Sequence, residues 1–325
     1  MAATQADGEA YDLVTMGRVG VDVYPHQIGV GLEDVESFGK FLGGSPTNVA
    51  VAAARYGRRT AVITKTGADP FGRFVRKALR GYGVDDAFVG TSEALPTPVT
   101  FCEIFPPDDF PLYFYRLPKA PDLDIDPAEL DFDAIRAAKV FWATVTGLCQ
   151  EPSRSATLAA LEARGKAGVT VLDLDYRPMF WDSAEDAREQ VRRALPHVTV
   201  AVGNREECEV AVGARDTPAE AARALREAGV ALAVVKQGPK GVLALDDTGQ
   251  VEAPPVPVDV VNGLGAGDAF GGALVHGLLA GWEAERIMRF ANAAGAHVAG
   301  ALACSDAMPT ESEVELKLTE VANAR

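Results

Sequence analysis

What most constrains this chain is a rhythm. Short runs rich in β-branched residues alternate along it with Ala-, Leu- and Arg-rich stretches of helical period. A strand, a helix and a second strand in succession return the chain to the same sheet in parallel, so the alternation predicts an α/β fold on a mainly parallel sheet. Strands are expected at 13–19, 60–64, 140–145, 169–173, 198–202 and 232–236. The intervening helices mark their own ends. In TPAEAARALREAG, Thr217 is an N-cap, Pro218 takes the first helical position, Glu220 completes a capping box and Gly229 is the stop. Ala221, Ala222, Leu225 and Ala228 then form the buried stripe of that helix. Two stretches break the rhythm, 20–42 and 98–118, both strand-like, rich in aromatics and prolines, and without a helical pattern. PVTFCEIFPPDDFPLYFYRLP predicts a hairpin with its turn at 106–111. Together the two stretches predict a small β-sheet inserted in one large domain over 11–325, after a flexible segment at 1–10; 325 residues exceed the roughly 250–300 at which single cores stop growing.

Charge and cysteine usage narrow the function. Lys and Arg number 31 against 46 Asp and Glu, a net charge of −15, which opposes binding to nucleic acid or an anionic membrane surface. MAATQADGEAYD has neither the basic nor the apolar part of a signal peptide, and no uncharged apolar run reaches the roughly 18 residues of a membrane span, so a cytoplasmic location is expected. Cys102, Cys149, Cys208 and Cys304 lie far apart and form no metal-ligand spacing; buried free thiols are expected.

Chemistry concentrates in NGLGAGDAFGG, residues 262–272, where five glycines surround one acid. A β-like stretch precedes it, and AGDAFGGALVHGLLAG follows, apolar on nearly every side and therefore a buried helix. Gly265, Ala266 and Gly267 would present free N–H groups at that helix's N-terminus, an anion site that needs no lysine. Neither the lysine-bearing phosphate loop nor the G-x-G-x-x-G dinucleotide fingerprint fits. Asp268, aimed into such a site, would repel a resting phosphate but accept the proton of an alcohol attacking it. A capping Asp followed by packing glycines is the plain alternative for this stretch alone.

GGSPTNVAVAAARYG, residues 43–57, pairs glycines with Ser45, Thr47 and Asn48 and then turns into an Ala-rich helix. In order and separation, this element and the GAGD loop resemble the two signature motifs of the PfkB, or ribokinase-like, carbohydrate kinases, over 13–310. The resemblance implies a ribokinase-like, three-layer Rossmann-like core with a small β-sheet lid over the sugar. It implies Asp268 as catalytic base and Gly265 to Gly267 as the anion hole, with ATP and Mg²⁺ as cofactors. GNREE supplies the family's N-x-x-E pattern as Asn204 and Glu207, which would position Mg²⁺ through water, and KQGPKG supplies Lys236, Gly238 and Gly241 to the ATP site. Asn292 falls where the family approaches the adenine. Where members commonly have an Asp-Thr-Thr-like lead-in, this chain has Asn262, Gly263 and Leu264, so hydroxyls near the phosphates are missing.

For the acceptor, Asp22 in MGRVGVDVYP is read at the end of the first strand, where the resemblance makes it the acid that takes hydrogen bonds from sugar hydroxyls, with Gly43, Gly44 and Asn48 completing the wall. Arg116 in LYFYR and Arg177 in LDLDYRP sit beside aromatics and prolines, a setting suited to gripping a carboxylate. A sugar acid is therefore expected, and the resemblance runs to members acting on keto-deoxy acids; the residues themselves leave open which one. The partners implied are the sugar acid and ATP, with no nucleic acid or membrane, and a homodimer through the lid. A sugar-binding regulator on the same fold is the non-catalytic alternative, since a fold does not prove a function.

Overall fold

The computed structural model describes residues 10–323; apart from Ala10, the segment expected to be flexible lies outside the described residues. Fourteen strands occur among them. They are β1 (Leu13–Met16), β2 (Gly20–Pro25), β3 (Phe38–Gly43), β4 (Thr60–Gly67), β5 (Val84–Asp85), β6 (Val89–Ser92), β7 (Val99–Cys102), β8 (Leu112–Tyr115), β9 (Val140–Thr144), β10 (Val169–Asp173), β11 (Val200–Asn204), β12 (Leu232–Lys236), β13 (Val242–Leu245) and β14 (Gln250–Ala253). The helices are α1 (Ser45–Arg55), α2 (Pro70–Gly81), α3 (Phe132–Ala137), α4 (Ser153–Arg164), α5 (Ala184–Ala194), α6 (Arg205–Val212), α7 (Pro218–Glu227), α8 (Ala266–Leu279), α9 (Ala284–Ala299) and α10 (Glu311–Asn323).

The main sheet runs β14-β13-β12-β11-β10-β9-β1-β4-β5, with β6 also on β4. Its pairs are parallel from β5 to β12 and antiparallel only at the β12-β13-β14 end. Side chains alternate across a strand, so one sheet feeds two cores. Leu13, Val140, Trp142 and Val171 pack with α1, α8 and α9 on one face, while Val14, Phe141, Ala143 and Leu172 pack with α4, α5 and α7 on the other. Every strand between is thus buried on both sides, which is why these strands read as apolar runs without polar alternation.

The small sheet has the order β3-β2-β7-β8, drawn from the two stretches that lacked helices. The chain leaves the main sheet for it at Gly17, earlier than the expected strand end at 19. Gly17 has φ +145°, and a Cβ there would lie 2.9 Å from Thr144 Oγ1. β1 therefore stops at Met16, and Asp22 belongs to β2 of the small sheet instead of the end of the first strand. In α7 the capping box at Thr217 and Glu220 is present, but Ala224 joins the buried stripe while Ala228 is the C-cap and half-buried. The four cysteines are free thiols. Among the described residues no helix is long and apolar enough to cross a membrane.

Candidate active site

A cavity of about 310 Å³ lies where the carboxyl ends of β10, β11 and β12 meet the small sheet and the N-termini of α1 and α8. Crevices at the carboxyl ends of parallel strands are the usual ligand sites of such sheets. The loop before α8 enters it under tight constraint. Asn262, fully buried, donates from Nδ2 to the Leu302 carbonyl and accepts at Oδ1 from the Leu264 N–H. Gly265 caps α8 with φ +81°, and a Cβ there would lie 2.6 Å from Cys304 Sγ, so no side chain fits. Its carbonyl accepts from the N–H groups of Asp268 and Ala269. The N–H groups of Gly265, Ala266 and Gly267 therefore precede the first intrahelical bond, as an anion site at a helix end requires.

Asp268 is held at both oxygens. Ser45 Oγ donates to Oδ1 at 2.8 Å and Asn48 Nδ2 donates to Oδ2 at 2.8 Å, both from the first turn of α1. Asn48 in turn accepts at Oδ1 from Ser305 Oγ. The GGSPTN element thus reaches the site by orienting the acid of the GAGD loop. Burial raises the Asp268 pKa, and the nearby Asp175 adds to the rise, against the hydrogen bonds from Asn48 and Ser45 and the charge of Arg18. A carboxylate made more basic by its surroundings suits proton abstraction near neutral pH.

Across the cavity, Asp22 is pushed up to about 6 by burial and by Asp268, although Tyr24 donates to it at 2.7 Å and Arg18 lies nearby. Gly43 makes room for it: a Cβ there would lie 2.1 Å from Asp22 Oδ1. Gly44 is the N-cap of α1 and lines the cavity. Leu112 and Phe114 face the cavity from β8, while Phe110, in the hairpin turn, packs over Gly263 and Leu264.

At the carboxyl ends of β10 to β12, the buried Asp173, Asp175 and Glu207 form a charged group with the half-buried Lys236. Burial raises Asp173, with Asp175, Glu207 and Asp268 adding to the rise; Arg177 and Arg18 hold Asp175 below the usual range in spite of its burial. Burial alone would lower the pKa of Lys236, but Asp173, Glu207, Asp268 and Asp175 raise it, so it remains cationic beside Gly267. Asn204 and Glu207 close a capping box at α6: Asn204 Oδ1 accepts from the Glu207 N–H at 2.9 Å, and Glu207 Oε2 accepts from the Asn204 N–H at 2.6 Å. Glu207 Oε1, 3.7 Å from Arg177 Nη1, is the oxygen left for a ligand. One carboxylate oxygen plus water is a donor set that Mg²⁺ accepts, so the residues fit that ion.

The structure sorts the remaining expected residues. Arg177 lines the cavity, paired with Asp175 at 2.8 Å, and its buried Nε has no acceptor. Arg116 does not line it: Nη2 donates to the buried Asp122 at 2.7 Å and the guanidinium lies over Phe180. Asn292 donates to the carbonyls of Ala253 and Pro254, away from the cavity lining. Gly238 lines the cavity and, with Gly241, forms the turn between β12 and β13. Sequence reasoning missed Arg18, Asp173 and Asp175 as cavity residues. The acids had a signal, two carboxyls in LDLDYRP at the end of a parallel strand; Arg18 had none, because its neighbour Asp175 is 157 positions away.

The description "pfkB family carbohydrate kinase" fits residues 10–311. A protein of Geobacillus kaustophilus named 5-dehydro-2-deoxygluconokinase is 34% identical over 94% of this chain and 92% of its own. One of the same name from Shouchella clausii is 33% identical over 97% of each. Among solved structures, the PfkB protein of Polaromonas sp. JS666 superposes with a TM-score of 0.83 at 25% identity, covering 94% of this chain and 99% of its own. An Escherichia coli chain in complex with ATP and Mg²⁺, 22% identical over 95% of this chain and 99% of its own, shares the ribokinase-like fold with a TM-score of 0.86. With one family model spanning 10–311 and relatives more than 30% identical along nearly its whole length, the chain belongs to the pfkB family and is a carbohydrate kinase.

Proposed function

We propose that this kinase transfers the γ-phosphoryl group of ATP to the terminal hydroxyl of 5-dehydro-2-deoxy-D-gluconate. The observation that carries the reading is Asp268, held at both oxygens in the first turn of α8, in one cavity with Asp22, Lys236 and two arginines. Asp22 accepts hydrogen bonds from acceptor hydroxyls and sets the sugar's orientation. Asp268 takes the proton of the terminal hydroxyl as its oxygen attacks. The N–H groups of Gly265, Ala266 and Gly267 and the Lys236 ammonium stabilise the charge on the transferring phosphoryl. Glu207, with Asn204, would hold Mg²⁺ through water, and the ion supplies neutralisation of the nucleotide phosphates when bound. Arg177 takes the acceptor's carboxylate; its unpaired Nε supports that role. The names of the Geobacillus and Shouchella relatives support this acid over 2-dehydro-3-deoxygluconate.

The small sheet acts as a lid that excludes water. Its outward face, with Phe38, Tyr113 and Tyr115 exposed around Phe101, is the surface for a homodimer, and the location is cytoplasmic. A coupled ADP-release assay over 5-dehydro-2-deoxy-D-gluconate, 2-dehydro-3-deoxy-D-gluconate and neutral ketoses and aldoses tests the substrate. The first is expected to give the highest kcat/KM; a neutral sugar in first place refutes the sugar-acid reading, and no ADP release with any of them refutes catalysis.

A further inference from the structure

Arg18 lines the same cavity. It lies in the three-residue link between β1 and β2, its side chain only 13% exposed. Nε and Nη2 both donate to Asp175 Oδ2, at 3.3 and 3.1 Å, while the other oxygen of the same carboxylate pairs with Arg177 Nη2 at 2.8 Å. Asp175 is 4% exposed in its side chain and serves two guanidinium groups that both line the cavity. Asp175 thus holds two guanidinium groups side by side, Arg177 being shared with Glu207 at 3.7 Å, in a cavity also lined by Asp22, Asp173, Asp268 and Lys236. Two guanidinium groups set together on one buried carboxylate offer their remaining N–H donors to an anion that enters the cavity.

The two arginines are not equivalent. Arg177 is flanked by Glu207 on the side of the strands that carry Asn204 and Lys236. Arg18 lies on the acceptor side, under the aromatic ring of Phe114, and its charge acts on both Asp22 and Asp268. We infer that Arg18 is a specificity-determining residue that binds the acceptor's carboxylate together with Arg177, and that Asp175 is the positioning residue that presents the pair. Arg18 thereby fills the place that the sequence assigned to Arg116. The inference rests on the sugar-acid reading above.

The test compares 5-dehydro-2-deoxy-D-gluconate with its primary amide, which has the same length and hydroxyls but no charge. The native enzyme is expected to favour the acid in kcat/KM. Arg18→Gln should cut that preference about 30-fold or more, the acid losing far more kcat/KM than the amide. Arg18→Lys should restore part of the preference, since it returns charge without the planar fork. Asp175→Asn should also lower the preference, because both arginines lose their anchor. If the native enzyme shows no preference for the acid, the sugar-acid reading fails and the inference falls with it. If the native preference is present and survives in Arg18→Gln, with both acceptors slowed equally, Arg18 is structural and only the inference is overturned. Melting curves separate a folding defect from either result, and the lysine variant keeps the test decisive should the glutamine variant misfold.

Discussion

Asp268→Asn isolates the proton-transfer step, because the site is built to tolerate the change. Asn48 Nδ2 can only donate, so the new amide must turn its oxygen towards Asn48 and its NH₂ towards Ser45. The Ser45 hydroxyl now donates at 2.8 Å, but a hydroxyl can equally accept, so both hydrogen bonds survive. Electrostatically the change is favourable. The raised pKa of Asp268 means that its charged form is disfavoured by folding, so removing the charge cannot lower stability at neutral pH through this term. What is lost is the acceptor for the hydroxyl proton, worth about 10²–10⁴ in rate, or about 3–5 kcal/mol of barrier. The expected result is a kcat lower by that factor, dissociation constants for acceptor and ATP within about threefold of native, and a melting temperature equal or higher. Turnover is read by coupled ADP release, binding by calorimetry and stability by thermal unfolding. A kcat within about threefold of native would refute Asp268 as the base.

Asp22→Asn carries a pH signature. The native Asp22 pKa of about 6 exceeds the ordinary 3.8, so the native state binds the extra proton between those values, and this residue's contribution to stability falls as pH rises through that window. The variant should therefore match native stability below about pH 4 and exceed it above about pH 6, as denaturant unfolding at both pH values would record; an equal difference at both refutes the assignment. Arg116→Ala should leave Asp122 buried without its cation and cost about 3–5 kcal/mol of stability, while slowing the acid and its amide alike; an acid-selective loss would return Arg116 to the substrate. Deleting the 106–111 turn, which carries Phe110 against Gly263, should raise the acceptor KM and permit ATP hydrolysis without acceptor; an unchanged KM refutes the lid.

The parts of this molecule legible in its sequence are those governed by local rules. The capping box at Thr217, the strand at Leu232–Lys236 and the hairpin of β7 and β8 each follow from residues a few positions apart. Asp268 was legible for the same reason, since its glycines and its helix are contiguous with it. The site as a whole was not. Ser45 and Asn48 meet Asp268 across more than 200 positions, and nothing local announces that contact. Arg116 misled because its aromatic neighbours are real, whereas the acid that engages it, Asp122, sits just beyond the hairpin. Asp22 was placed at the end of the first strand because VTMGRVGVDV reads on as one apolar run, whereas the chain leaves the main sheet at Gly17, where φ is +145° and a Cβ would meet Thr144 and Pro46.

Gly44 alone separates β3 from α1, and that shortness ties two functions mechanically. The strand that lies across from Asp22 ends where the helix that orients Asp268 begins, so whatever settles the small sheet also settles Ser45 and Asn48. The small sheet and the two residues that hold Asp268 are therefore one continuous piece of chain, and a substitution that displaces β3 reaches the Asp268 carboxylate without touching it.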